Sequence, residues 1–185
     1  MNAAIDAKSV NSATALRYDE KTIALHWLTA ALVVSLWASE QISDWFSKPM
    51  RADILSLHVT LGVALMAVLA LRIGWRLSGG RRLPDADKGA MELLARGMQH
   101  LLYFAVIAAV LLGLSLEWVR ADPIWGLFQL PSIAPGDTAL RRSIRGYHEL
   151  SANLVLALSG LHAAAALFHH CVLRDEVLRR MLPGD

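Results

Sequence analysis

Four long apolar runs, each able to cross a bilayer as one helix, constrain this chain more than any other feature. About 20 apolar residues span a hydrocarbon core in helical form. Residues 22–41, 54–77, 95–118 and 146–172 of the 185 meet that length. Backbone amides in hydrocarbon must find partners within their own segment, which makes helices the solution for such runs. The 18 basic and 16 acidic side chains gather mainly between the runs. The expected fold is an all-α membrane protein, a single domain over residues 1–185 built as a four-transmembrane-helix bundle.

Charge sets the expected orientation. With the N-terminus inside, twelve basic residues fall on the cytoplasmic side: Lys8, Arg17, Lys21, Arg72, Arg76, Arg81, Arg82, Lys88, Arg96, Arg174, Arg179 and Arg180. Six fall on the other side: Lys48, Arg51, Arg120, Arg141, Arg142 and Arg145. The positive-inside rule therefore puts both termini in the cytoplasm. Trp45, Trp75 and Trp118 fall near the expected interfaces, where amphipathic rings are common. The opening MNAAIDAKSVNSATALRYDEK has no apolar h-region, so no cleavable signal peptide is expected and the first run stays as an anchor.

Histidines inside the runs point to chemistry, because a polar side chain at membrane depth is costly unless something binds it. His148 and His162 lie fourteen residues apart in the fourth run. Fourteen steps return a helix to within roughly 40° of its starting face and separate the rings by roughly 21 Å. His26 enters the first run from the cytoplasmic side, and His58 enters the second from the far side. Depth thus pairs His58 with His148 and His26 with His162, two bis-histidine sites stacked across the membrane, as two haems require. Small residues follow each ligand at i+3 and i+4: Thr29 and Ala30, Gly62 beside Leu61, Ser151 and Ala152, Ala165 and Ala166. Such positions leave a face open for a flat macrocycle.

The competing explanations are weaker. Each histidine alone could bond a neighbouring helix carbonyl, but four matched in depth and flanking residues argue against that for the set. A zinc or copper centre fails on layout, since the pairs are too far apart to give four ligands to one ion. Cys171 is the lone cysteine, which excludes an internal disulfide, and no C-x-x-C-H is present for covalent haem attachment.

His100 is followed by Tyr103 and Phe104 rather than by small residues, which suits hydrogen bonding or proton handling. His169 and His170 lie where the fourth run meets the cytoplasmic surface, as a solvated pair or as proton carriers. Arg141, Arg142 and Arg145 precede His148 and can contact haem propionates, a small anion or lipid headgroups. Arg72, inside the second run, suits a propionate at the cytoplasmic level.

With these residues in place the chain resembles the bacterial cytochrome b561 family. The likeness runs from RYDEKTIALHWLTA through SLHVTLGVALMAVLALRIGWRL and QHLLYFAVIAAVLLG to RGYHELSANLVLALSGLHAAAALFHHCVLRDEVLRRMLP. It implies two b haems in the inner membrane, passing electrons from a donor to ubiquinone; some similar members oxidise superoxide from the periplasm. The third run reads AAVLLG where the family pattern has a proline before the glycine, so a kink there is not assured. The expected partners are the lipid bilayer, ubiquinone and a small anionic or protein donor on the periplasmic side, without nucleic acid. The alternatives are a membrane-anchoring cytochrome b subunit of a dehydrogenase or hydrogenase complex, and a haem-free four-helix transport or scaffold protein.

Overall fold

The computed structural model describes residues 17–84 and 89–183. Lys8 and Lys88, and residues 1–16 of the opening segment read for a signal peptide, lie outside the described residues. Four helices carry the fold: α1 Glu20–Ser43, α2 Lys48–Ser78, α3 Ala90–Arg120 and α4 Thr138–Phe168. Each is long and apolar enough to cross a membrane, α4 together with the π-turn His169–Leu173 that closes it.

Local chemistry explains where the helices start. The Asp19 carboxylate accepts from Thr22 N at 2.9 Å and Thr22 Oγ1 at 2.7 Å, capping α1, and Glu20 adds favourable charge in the first turn. Asp137 caps α4 in the same way through Leu140 N at 2.9 Å. Pro49 opens α2, where its missing N–H costs nothing. With that cap at Asp137, α4 begins at Thr138 rather than at Gly146, so Arg141, Arg142 and Arg145 stand on the helix itself. Helix α3 runs unbroken through Ala108–Gly113.

Helix α1 packs along α2, and α3 along α4, while α2 meets α3 less extensively and α1 approaches α4 at few positions. The core is a ribbon of Leu32, Leu65, Val68, Leu69, Ala105, Val106 and Val155. Val155 is the one buried residue of α4. Large apolar side chains such as Leu71, Leu93 and Phe104 face outward, as acyl chains allow and water does not.

The two ends of the bundle are closed differently. At one, here the tail end, Tyr18 N donates to Arg180 O at 3.2 Å, and Trp27 Nε1 to Met181 O at 2.7 Å. Asp19 also takes Trp75 Nε1 at 2.9 Å and Arg81 N at 3.0 Å, tying α1 to the end of α2. Four donors outweigh the opposing effect of partial burial and hold the Asp19 carboxyl well below the usual carboxylate range. At the other, the loop end, residues 121–137 fold back on α2: Trp125 N donates to Ser56 Oγ at 3.0 Å and Trp125 Nε1 to Thr60 Oγ1 at 3.1 Å. Trp125 and Gly126 both take positive φ, at 54° and 66°, in the turn that makes this contact.

Candidate functional site

Neither α1 nor α2 touches α4 at more than a few positions, and histidines of three of the four apolar runs face each other across that seam in two pairs. His26 of α1 meets His162 of α4 toward the tail end, with ring centroids 6.2 Å apart and planes at 72°. His58 of α2 meets His148 of α4 toward the loop end, with centroids 6.2 Å apart and planes at 84°. Two metal–nitrogen bonds of about 2 Å each, with the half-widths of two imidazoles, come to roughly 6 Å. Each pair is therefore spaced to bracket one metal ion. Among the described residues no three metal-ligating side chains converge, so each pair stands as a two-ligand site.

A sequence profile of the prokaryotic cytochrome b561 family matches residues 17–184. The chain belongs to that family. It is 29% identical over 173 residues to a probable superoxide oxidase CybB of Yersinia pestis, covering 90% of this chain and 96% of that protein. The cytochrome b561 homolog 1 of Escherichia coli K12 is also 29% identical, over 174 residues, 90% of this chain and 97% of the relative. A cytochrome b562 of Cereibacter sphaeroides is 29% identical over 171 residues, 89% of this chain and 94% of the relative. The chain is thus a multi-pass bacterial membrane cytochrome that binds haem b and carries electrons.

Haem coordination asks each imidazole for a free Nε2, and the loop-end pair of this cytochrome provides two. Ser39 Oγ spends its single hydrogen on Leu36 O at 2.8 Å, so toward His58 Nδ1, 3.0 Å away, it can only accept. His148 Nδ1 lies 3.0 Å from Ala109 O, a pure acceptor. Both rings are thereby held with the proton on Nδ1 and the Nε2 lone pair available, as a metal-bound histidine requires. Gly113, one turn beyond Ala109 on α3, makes this approach possible: a Cβ there would stand 3.0 Å from His148 Cε1. Glu117 follows one turn further along the same stripe. It is 4% exposed and makes no hydrogen bond or ion pair with a described residue, although Arg120, Asp122 and Arg141 act on it electrostatically.

The tail-end pair is set differently. Arg72 Nη2 donates to His26 Nδ1 at 3.1 Å, and its guanidinium lies 5.2 Å from the Tyr103 ring centroid. His162 makes no hydrogen bond with a described residue. Arg72 donates only, so in this contact His26 Nδ1 accepts. Nε2 ligation would put a proton on Nδ1, facing a donor with a donor. Arg72 must then turn to another acceptor, and the propionates that a haem brings are such acceptors.

The remaining expected residues fall into two groups. At the loop end, Arg145 pairs with Glu149 at 2.7 Å, Arg51 with Asp44 at 2.9 Å, and Arg120 with Asp122. Arg141 and Arg142 are exposed and make no ion pair with a described residue. At the tail end, His100 Nδ1 bonds its own helix at Arg96 O, 2.7 Å away. His100 also lines a cleft of about 360 Å³ with Ile73, Arg76, Leu77, Arg82, Tyr103 and Ile107. His169 is not a solvated surface residue: it is 7% exposed and its Nδ1 lies 2.6 Å from Asp175 Oδ2, across the π-turn. Although partial burial opposes it, this bond and that from Val177 N hold the Asp175 carboxyl below its ordinary value.

Proposed function

We propose that the chain holds two b haems, one between His26 and His162 and one between His58 and His148, in a single four-helix unit. It lies in the bacterial inner membrane with both termini cytoplasmic. The observation that carries this reading is the repetition of one two-imidazole geometry at two levels of the same seam. Haem iron in such sites supplies a one-electron carrier. Electrons enter from a donor at the loop end, facing the periplasm, and end on ubiquinone. The positive-inside distribution supports that orientation.

Superoxide is the donor we favour; the Yersinia relative is named a probable superoxide oxidase, and the loop end can receive a small anion locally. The face as a whole is not basic. Its six basic residues meet seven acidic ones, Glu40, Asp44, Asp53, Glu117, Asp122, Asp137 and Glu149. Attraction therefore falls to Lys48, Arg141 and Arg142, the basic residues there without an ion pair to a described residue, acting over a short range. Arg141, Arg142 and Arg145 also stand on the α4 turns that lead to His148, where they can hold propionates. Arg72 does so at the tail end. Two superoxide anions yield two dioxygen molecules and two electrons, and ubiquinone takes those electrons with two protons.

The tail-end cleft suits the quinone headgroup. Its walls are Ile73, Leu77 and Ile107, its polar groups are Arg76, Arg82, His100 and Tyr103, and Tyr103 reaches His26 through Arg72. His100 at the cleft, and His170 and the His169–Asp175 pair at the same end of the bundle, would deliver the protons. Haem counting and anaerobic superoxide pulses test the proposal. The expected result is two b haems per chain, their reduction by superoxide, and quinol formed by the protein purified alone. Fewer than two haems would refute the two-site reading. Quinone reduction only alongside a partner dehydrogenase would favour the anchoring-subunit alternative.

A further inference from the structure

We infer that the guanidinium of Arg72 makes the tail-end haem the better electron acceptor of the two, so that this one side chain gives the chain its direction. The inference rests on the two-haem reading above. Both centres have the same axial ligands and both haems bring the same propionates. A difference in potential must therefore come from what the chain places around each pair.

At the tail end it places a permanent cation. Arg72 lies within α2, half-buried, 3.1 Å from the His26 ring, and forms no salt bridge with a described carboxylate. The other ionised side chain that acts on it is also a cation, Arg76. Arginine stays charged in proteins, so this field is present at every working pH. Positive charge in low-dielectric surroundings favours the reduced state of an adjacent iron, because reduction removes positive charge from the centre.

At the loop end the surroundings work the other way. His58 and His148 each give their Nδ1 proton to a neutral oxygen, of Ser39 and Ala109, which makes the rings better donors to iron and favours the oxidised state. Arg51, Arg141, Arg142 and Arg145 are exposed at that end, where solvent and salt screen them, and the half-buried Arg120 is neutralised by Asp122, as Arg145 is by Glu149. An electron arriving at the loop end thus moves energetically downhill toward the tail end and the cleft beside Tyr103.

Redox titration of the haem-loaded protein, followed by absorbance and by the low-spin ferric resonances, tests this. In Arg72→Gln the higher of the two potentials should fall, shifting the distribution of one electron between the centres at least ten-fold, about 59 mV. The lower potential should stay in place, and Arg72→Lys should restore most of the shift. Should Arg72→Gln not load two haems, the parent protein decides. Poised half-reduced, it should retain the ferric signal that Gly113→Ala perturbs, since Gly113 abuts only the loop-end ligand. Retention of the other signal, or unchanged potentials in Arg72→Gln carrying two haems, would overturn the inference while leaving the two-haem reading intact. A parent with fewer than two haems would sink both.

Discussion

The two histidine pairs are alike in spacing and unlike in support. At the loop end both rings are held from behind by oxygens that accept from Nδ1, and α3 supplies a carbonyl and a glycine to seat one of them. At the tail end one ring faces a guanidinium and the other faces no hydrogen-bonding partner among the described residues. The first arrangement fixes tautomer and orientation before any metal arrives. The second fixes charge. Two copies of one ligand set can therefore differ in how firmly they bind and in where an electron prefers to rest.

Removing a ligand should separate the sites most sharply. In His148→Ala the loop-end haem should be lost and the tail-end haem kept; His162→Ala should do the reverse. Haem per chain, from the pyridine haemochrome spectrum, should drop from two to one in each. Either variant retaining two low-spin haems would break the pairing.

A smaller effect is expected at Gly113. The Cβ of Gly113→Ala would stand 3.0 Å from His148 Cε1, so ring or backbone has to shift, at a cost of about 1–3 kcal/mol in the packed site. Haem retention should weaken at the loop end alone. Gly97→Ala is the control, because a Cβ there meets nothing within 4 Å, and a helix interior gains from losing a glycine. Ser39→Ala tests the hydrogen bond rather than the space. Loss of a group that orients a metal-bound histidine costs roughly ten-fold or more in affinity. The low end is expected here, since the Leu36 carbonyl already accepts from His58 and would go on doing so. Equal loss at both ends in either variant would erase the contrast between the pairs.

Much of this layout was legible in the sequence. Helical period and membrane depth suffice to bring His26 to His162 and His58 to His148, because both are properties of regular helices in a slab. What lies behind the rings was not. The acceptor for His148 is a backbone carbonyl, and Ala109 has no side-chain signature for that role. Gly113 was visible, but as the mark of a kink; the structure uses it for the close approach of His148 to an unbroken helix. Glu117 could have been singled out as an acid at the end of an apolar run, on the same principle that picked out the histidines. The early start of α4 was missed because its first two turns are rich in arginine, although Asp137 is a good cap and precedes it. The pairing of His169 with Asp175 needs the π-turn and the left-handed Arg174, at φ 54°, which no periodic pattern announces.

The least drastic perturbation distinguishes the two ends by pH. The tail end is stitched by two carboxylates, Asp19 and Asp175, both held below their ordinary values by the hydrogen bonds they accept. A carboxyl whose folded value is depressed adds stability above its unfolded value, about 3.9, and loses that contribution as pH falls through the folded one. Between pH 7 and about pH 5 the contribution of these two carboxylates should therefore be unchanged. It should fall away only in more acidic solution, through Asp175 first, because Asp19 is held lower. Hydrogen exchange of the Arg179–Met181 turn and of the first turn of α1 would report this, with the Trp125 amide of the loop over α2 as reference, since its bond to Ser56 involves no titrating group. Asp19→Ala should mimic the acid effect at neutral pH, costing about 1 kcal/mol as a lost helix cap. It should leave both haems in place. Faster exchange in the reference loop would show that the two ends are coupled rather than independently fastened.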